Sequence, residues 1–270
     1  MKRILNILFP LLSLFQFFSC SPYETFVHLK REDLFSLSIG NMEDQFHFFI
    51  QGNNPMPYKN ILLYDDGLFY LANGQGSKLM QFTRFGELTL LLYNPDLTPK
   101  PVLLPEKTES ESGEIVSRRS VPFALHNTGT VSVDSQKSIY LEVELDSADF
   151  REENGVILRK VIRRFDRFGT PMDTIGREGI NGTPFPFIEK CYHTYENHFV
   201  VVTRNPSGFT IYWFDQTMKP LYELSLDPEL LPASQDPEAF PTLGSIIPDL
   251  HQKKLYVMVT YYKYERDEST

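Results

Sequence analysis

Cys191, Tyr192 and His193 stand together in the chain, with His198 five residues further on. Thiolate and imidazole are the donors that hold zinc and similar ions, usually four to a site. In a strand alternate residues share a face, so Cys191 and His193 can both turn toward one metal. Spacing positions no third protein ligand beyond His198, so the set reads more simply as a buried thiol beside a loop histidine, and no metal is assigned. Asp146, Asp149, Glu152 and Glu153 offer the oxygen ligands calcium prefers, but not at the spacing of a calcium loop. They read as a solvated hairpin tip. Gly74-Gln75-Gly76 lacks the third glycine and the following helix of a dinucleotide loop, and reads as a hairpin turn. No HExxH, paired CxxC, P-loop or G-x-S-x-G elbow is present, so the sequence assigns no catalytic residue and no cofactor.

The remaining thiol, Cys20, closes a different pattern. Lys2 and Arg3 precede a mainly apolar stretch, Ile4 to Phe18, and Ser19 stands directly before Cys20. A stretch of that length suits a signal peptide; a bilayer-spanning helix needs about 20 apolar residues. Phe17-Phe18-Ser19-Cys20 resembles the lipobox of bacterial lipoproteins, in the looser form of the spirochaetal ones, although two bulky phenylalanines replace the usual Leu and small residue. The resemblance implies cleavage between Ser19 and Cys20 and lipidation of Cys20, which makes the lipid bilayer a partner. It implies export and lipid anchoring to a membrane. Ser21, where an aspartate would retain an enteric lipoprotein in the inner membrane, favours the outer membrane, on its periplasmic or surface face.

Removing residues 1–19 leaves 24 basic and 35 acidic side chains, a net charge of −11. Such a chain is repelled by phosphate backbones, which excludes nucleic acid as a natural partner. With Cys20 consumed by lipid, Cys191 has no cysteine to pair with, so the core must hold the fold. Tyr and Phe are abundant, there is a single Trp, and no long segment after residue 20 has helical periodicity. That composition predicts an all-β protein.

A weak repeat organises it. Polar, turn-prone lead-ins precede Leu68–Leu71, Ile139–Val143, Phe199–Val202 and Leu255–Val259. Three strand–turn–strand units follow the first three, at Met80–Leu90, Arg164–Ile175 and Tyr212–Leu224. Asp166-Arg167-Phe168-Gly169 carries the turn glycine, and the third copy lacks it. The acidic lead-ins, the aromatic-Asp-x-x-Gly turn and the glycine-rich stretch Ile175–Pro184 resemble NHL-like, six-bladed-type β-propellers over about residues 33–262. The resemblance implies a β-propeller-like fold with innermost strands beginning near 68, 139, 199 and 255, hence about four blades. Residues 1–19 form the signal peptide, 20–32 a lipidated tether and 33–270 the propeller-like domain. Prolines and a charge run make 94–122 an exposed loop insertion. The last copy stops ten residues after its strand, so the sequence suggests a propeller cut short, with Phe26–Leu29 and Leu34–Ile39 as strands that could close it.

The function expected is that of a non-enzymatic binding or scaffolding lipoprotein meeting an unknown protein or envelope partner. The alternative is a propeller-type hydrolase or lyase with a metal or carboxylate site in a central channel. The lead-ins repeat no His or Glu, which leans away from catalysis. Labelling cells with radioactive palmitate tests the anchor. A mature protein beginning at Cys20 and carrying label, with both lost in Cys20→Ser, is the expected result; an unlabelled chain would remove the tether.

Overall fold

A five-residue turn, used five times, directs the chain: 83–87, 134–138, 166–170, 194–198 and 215–219. In each, the first N–H donates to the fifth carbonyl and the fourth N–H returns to the first carbonyl. The fourth residue has positive φ: Gly86, Lys137, Gly169, Asn197 and Met218. The first is Thr or Asp because its side-chain oxygen accepts backbone N–H groups inside the turn. Asp166 Oδ1 takes Phe168 and Thr170 at 2.8 Å each. Asp215 Oδ1 takes Thr217 at 2.8 Å and Lys219 at 3.0 Å. Met218, where the glycine is missing, is almost wholly buried, and its packing offsets a backbone that costs a non-glycine residue about 1 kcal/mol. Asp66-Gly67 and Asn154-Gly155 make tighter two-residue hairpins, with positive φ at both positions.

This computed structural model describes residues 29–49, 58–104 and 118–263, apart from 207, 228, 230, 235 and 237. The chain divides between Asp33 and Leu34 into two compact units. In the first, residues 29–33 are exposed and Arg31 pairs with Asp33 at 3.4 Å. The second is nearly all β. Strands β1 (Asn60–Asp65), β2 (Leu68–Asn73), β3 (Lys78–Thr83) and β4 (Leu88–Tyr93) form an antiparallel meander, and β5 (Arg119–Pro122) adds in parallel to β4. Strands β6 (Val131–Val133), β7 (Ile139–Glu144), β10 (Lys160–Phe165) and β11 (Pro171–Gly176) form the second sheet, edged by β12 (Gly179–Ile180). Its acidic excursion folds as the small hairpin β8 (Arg151–Glu153) and β9 (Val156–Leu158). The third sheet is β13 (Phe187–His193), β14 (Phe199–Asn205), β15 (Gly208–Phe214) and β16 (Pro220–Leu226). A last hairpin pairs β17 (Phe240–Pro248) with β18 (Leu255–Tyr262).

Successive sheets stack face to face in propeller-like fashion. Tyr70, Leu90, Ile139 and Phe165 fill the space between the first two. Tyr140, Ile175, Phe199 and Phe214 fill the next, and Val200, Ile211, Trp213, Leu243 and Ile246 lie under the last hairpin. The repeat strands begin where the sequence places them, at 68, 139, 199 and 255. They are not innermost, however: each is the second of its sheet, and β1, β6, β13 or β17 precedes it. Leu34–Ile39 does not complete the last hairpin. It runs against the outer face of the first sheet, where Phe35 packs on Phe69 and Phe82 at 5.6 Å, because that face is apolar and otherwise bare. Cys20, Ser19, the signal residues and Phe26–His28 lie outside the described residues, as does 105–117 of the insertion. The described ends of the insertion are built in. Leu104 is buried, Glu43 accepts the N–H groups of Val102 and Leu103, and 119–122 is the strand β5.

One charged cluster ties three sheets together. The Glu142 carboxylate on β7 is fully buried and accepts Lys59 Nζ at 2.8 and 2.9 Å and the Thr130 N–H at 2.9 Å. Lys59 enters from just before β1 and also donates to the Ile188 carbonyl on β13. Lys160 approaches Glu142 at 3.7 Å and pairs with Glu144 at 2.9 Å. Burial pushes the Glu144 pKa up, but Lys160 and Arg159 more than offset it and hold the carboxyl below its usual range. Gly129 is the only residue type that fits over this carboxylate, since a Cβ there would stand 2.3 Å from Glu142 Oε2. Glu142→Gln leaves a part-buried ammonium without its counter-ion, and a loss of about 3 kcal/mol or more in urea unfolding is expected. Glu142→Leu combined with Lys59→Met recovers most of that loss if the pair, and not the side-chain volume, is what matters.

Candidate binding surface

The residues nominated for a metal do not converge. Cys191 and His193 share a face of β13, as alternation requires, but that face is packed on β6. Cys191 Sγ lies 3.5 Å from Thr130 Oγ1, and His193 Nδ1 lies 2.9 Å from Ser132 Oγ. His198 is on the opposite side of the third sheet, where Trp213 Nε1 donates to its Nδ1 at 3.2 Å and Glu196 approaches its Nε2 at 3.8 Å. Burial, foremost, pushes the Cys191 thiol up to about 11, so it stays protonated and is a poor ligand or nucleophile. Burial, then the Arg164 charge, pushes His193 down to about 3. Among the described residues, no group of three or more His, Cys, Asp or Glu side chains is arranged to hold a metal ion. Glu142, the most deeply buried carboxylate, is engaged by Lys59, Lys160 and the Thr130 N–H, and so is poorly placed to take a substrate proton.

The last hairpin differs from the sheets before it. Its inner face, with Leu243, Ile246, Leu255, Val257 and Val259, packs on the third sheet. Its outer face carries Phe240, Ile247, Tyr256, Met258 and Tyr262, with Met258 54 % and Tyr256 60 % exposed. No charged side chain interrupts β17 or β18. The first sheet has residues 34–49 over its outer face and the two central sheets have neighbours on both sides. The hairpin, among the described residues, has a neighbour on one. A cleft of about 620 Å³ opens between it and the third sheet at Arg204, Phe209, Asp227 and Leu243. A smaller one of about 260 Å³ lies at the bulge of β17, where Gly244 and Ser245 face Met258. Arg204 pairs with Glu189 and its guanidinium lies over Phe209 at 5.2 Å, so that cation is already engaged.

Sequence reasoning missed this surface, although a signal was there. Leu255–Tyr262 is apolar, aromatic or threonine at both parities, the pattern of a strand covered on two faces.

No family model matches the sequence, and no curated protein is detectably similar to it. Among solved structures, the chain is similar to regucalcin from Agrobacterium tumefaciens, described as a calcium-binding protein. The identity is 10 % over 63 % of this chain and 75 % of that one, with a TM-score of 0.22. The propeller-like description therefore rests on this chain's own strand order and stacking.

His193 gives the stacked interior a pH dependence whose sign is fixed. Its folded pKa lies below the ordinary 6.5, so the unfolded chain binds the extra proton. The stability tied to neutral His193 is complete above about pH 6.5 and is lost as pH falls toward 3, at about 1.4 kcal/mol per unit. Urea unfolding between pH 6.5 and 5 is expected to show that slope in the natural chain and a flatter one in His193→Gln.

Proposed function

We propose that this protein is a lipid-anchored, non-enzymatic binding protein. The acylated Cys20 holds it to a membrane, by preference the outer membrane, and its β-repeat domain offers the uncovered face of the last hairpin to a protein partner. The observation that carries the reading is the uncharged, aromatic outer face of β17 and β18 in a chain with a net charge of −9. A bare apolar patch of this kind marks an interaction site more often than a free surface. The lipobox resemblance at Phe17–Cys20 supports the tether. The engagement of Glu142, Cys191 and His193 in holding sheets together supports binding over catalysis.

A photo-crosslinking side chain placed at Met258 in intact cells, with Phe85 at the covered end as control, tests this. One adduct specific to position 258 and abolished by Tyr256→Lys is expected, with an unchanged melting temperature because both side chains are exposed. Equal adducts from both positions, or none from 258, would overturn it.

A further inference from the structure

The acidic excursion of the second sheet is only loosely joined to the stack. Its hairpin β8–β9 is hydrogen-bonded to no other strand among the described residues. Residues 151–157 are exposed or half-buried, and Leu158 beyond them is buried. The base is secured: the Leu145 N–H donates to the Arg159 carbonyl at 2.9 Å, and His126 Nε2 meets Asp146 at 3.3 Å. Nearer the tip, Arg177 Nη2 donates to Glu153 Oε2 at 2.6 Å.

Both partners of that pair line a cleft of about 340 Å³ between the hairpin and the third sheet. They are its only charged lining residues. Val156, Leu158 and Pro186 give it an apolar wall, and Thr210 and Tyr212 line it from β15. Its volume lies at the lower end of the range of small-molecule sites. The neighbouring Glu178 accepts the Thr183 N–H at 2.5 Å, and Glu223 lines a separate cleft, so neither carboxylate belongs to this one.

Arg177 is firmly placed. Its N–H donates to the Thr183 carbonyl at 2.8 Å, and at Gly176 before it a Cβ would stand 2.4 Å from the Gly182 carbonyl oxygen. Yet two donors at the cleft are unused. Arg177 Nε is buried and has no partner among the described residues. Thr210 Oγ1 accepts Asn205 Nδ2 at 3.1 Å, which leaves its own proton uncommitted. The Nε and Nη2 edge of a guanidinium matches both oxygens of a carboxylate, and Glu153 meets only part of that edge. With its carboxylate 47 % exposed, Glu153 can turn back to water at small cost, whereas a buried N–H left unmet is costly.

We infer that this cleft binds a small organic carboxylate with a compact apolar body, and that Glu153 is the place-holder its carboxylate displaces. The ligand carboxylate takes the Nε and Nη2 edge of Arg177, and its body lies against Val156, Leu158 and Pro186. The site shares no residue with the outer face of β17 and β18, so it stands or falls apart from the partner reading.

The test titrates the full chain in detergent by calorimetry, at constant ionic strength, with phenylacetate and with phenylacetamide, its uncharged counterpart. Saturable binding of the carboxylate and none of the amide is expected. Glu153→Gln tightens phenylacetate binding about threefold or more, because the competitor for Arg177 is gone. A gain of that kind cannot come from a damaged fold. Arg177→Gln weakens binding about tenfold or more. No binding by the Glu153→Gln chain, equal binding of the amide, unchanged binding in Arg177→Gln, or unchanged or weaker binding in Glu153→Gln overturns the inference.

Discussion

The buried carboxylate of Glu142 sets the terms for the rest of the domain. Burying a carboxylate costs several kcal/mol, recovered only when its oxygens are met by well-placed donors. Here the donors come from different parts of the stack: Lys59 from before the first strand, the Thr130 N–H from the entry to the second sheet, and Lys160 from that sheet's third strand. Lys59 then reaches the Ile188 carbonyl on the third sheet. A shift of one sheet against another would leave an unpaired charge in the interior, so the cluster fixes registry as much as it contributes energy. Gly129 is required by the same constraint, because its missing Cβ is the space the carboxylate occupies.

Around that point the fold follows the logic of a repeat array, in which each sheet depends on its neighbours for a core. One end is sealed by the chain itself. Lys78 is fully buried and donates to the Met42 and Gln45 carbonyls at 2.8 and 2.6 Å, pinning the segment that carries Phe35 and Phe46 over the first sheet. Burial pushes that lysine down to about 8, a measure of how far the segment excludes water. At the other end, Tyr256, Met258 and Tyr262 meet no comparable cover among the described residues.

Much of this was legible in the sequence, and the limits have physical causes. Strand starts were readable where local chemistry fixes them: before 139 and 199, Asp134 and Thr194 accept backbone N–H groups and Lys137 and Asn197 take positive φ, before 68 stands the Asp66-Gly67 hairpin, and before 255 Asp249 accepts the His251 and Gln252 N–H groups. Lys137 and Met218 at that position show why glycine alone was an incomplete guide. The first strand of each sheet escaped notice because β6 is three residues long and β1 alternates between half-buried and exposed positions. Cys191 and His193 were rightly placed on one face, but the identity of that face depends on Thr130 and Ser132, 61 residues away. No local pattern carries a contact of that separation. The Lys59–Glu142 pair spans 83 residues and was invisible for the same reason.

The charge of the chain gives the uncovered end its meaning. With 35 acidic side chains against 26 basic ones, the net charge of the chain opposes the approach of another copy of itself or of an anionic surface. β17 and β18 carry no charge, so the outer face they share is where apolar contact is not opposed by like charge on the strands themselves. The charges that border it are mixed: Arg204 and Lys263 stand with Asp227 and Glu229 at one end, and Asp249 stands with Lys253 and Lys254 at the other. Rim charge of mixed sign adds little affinity, so what this face offers a partner is apolar area.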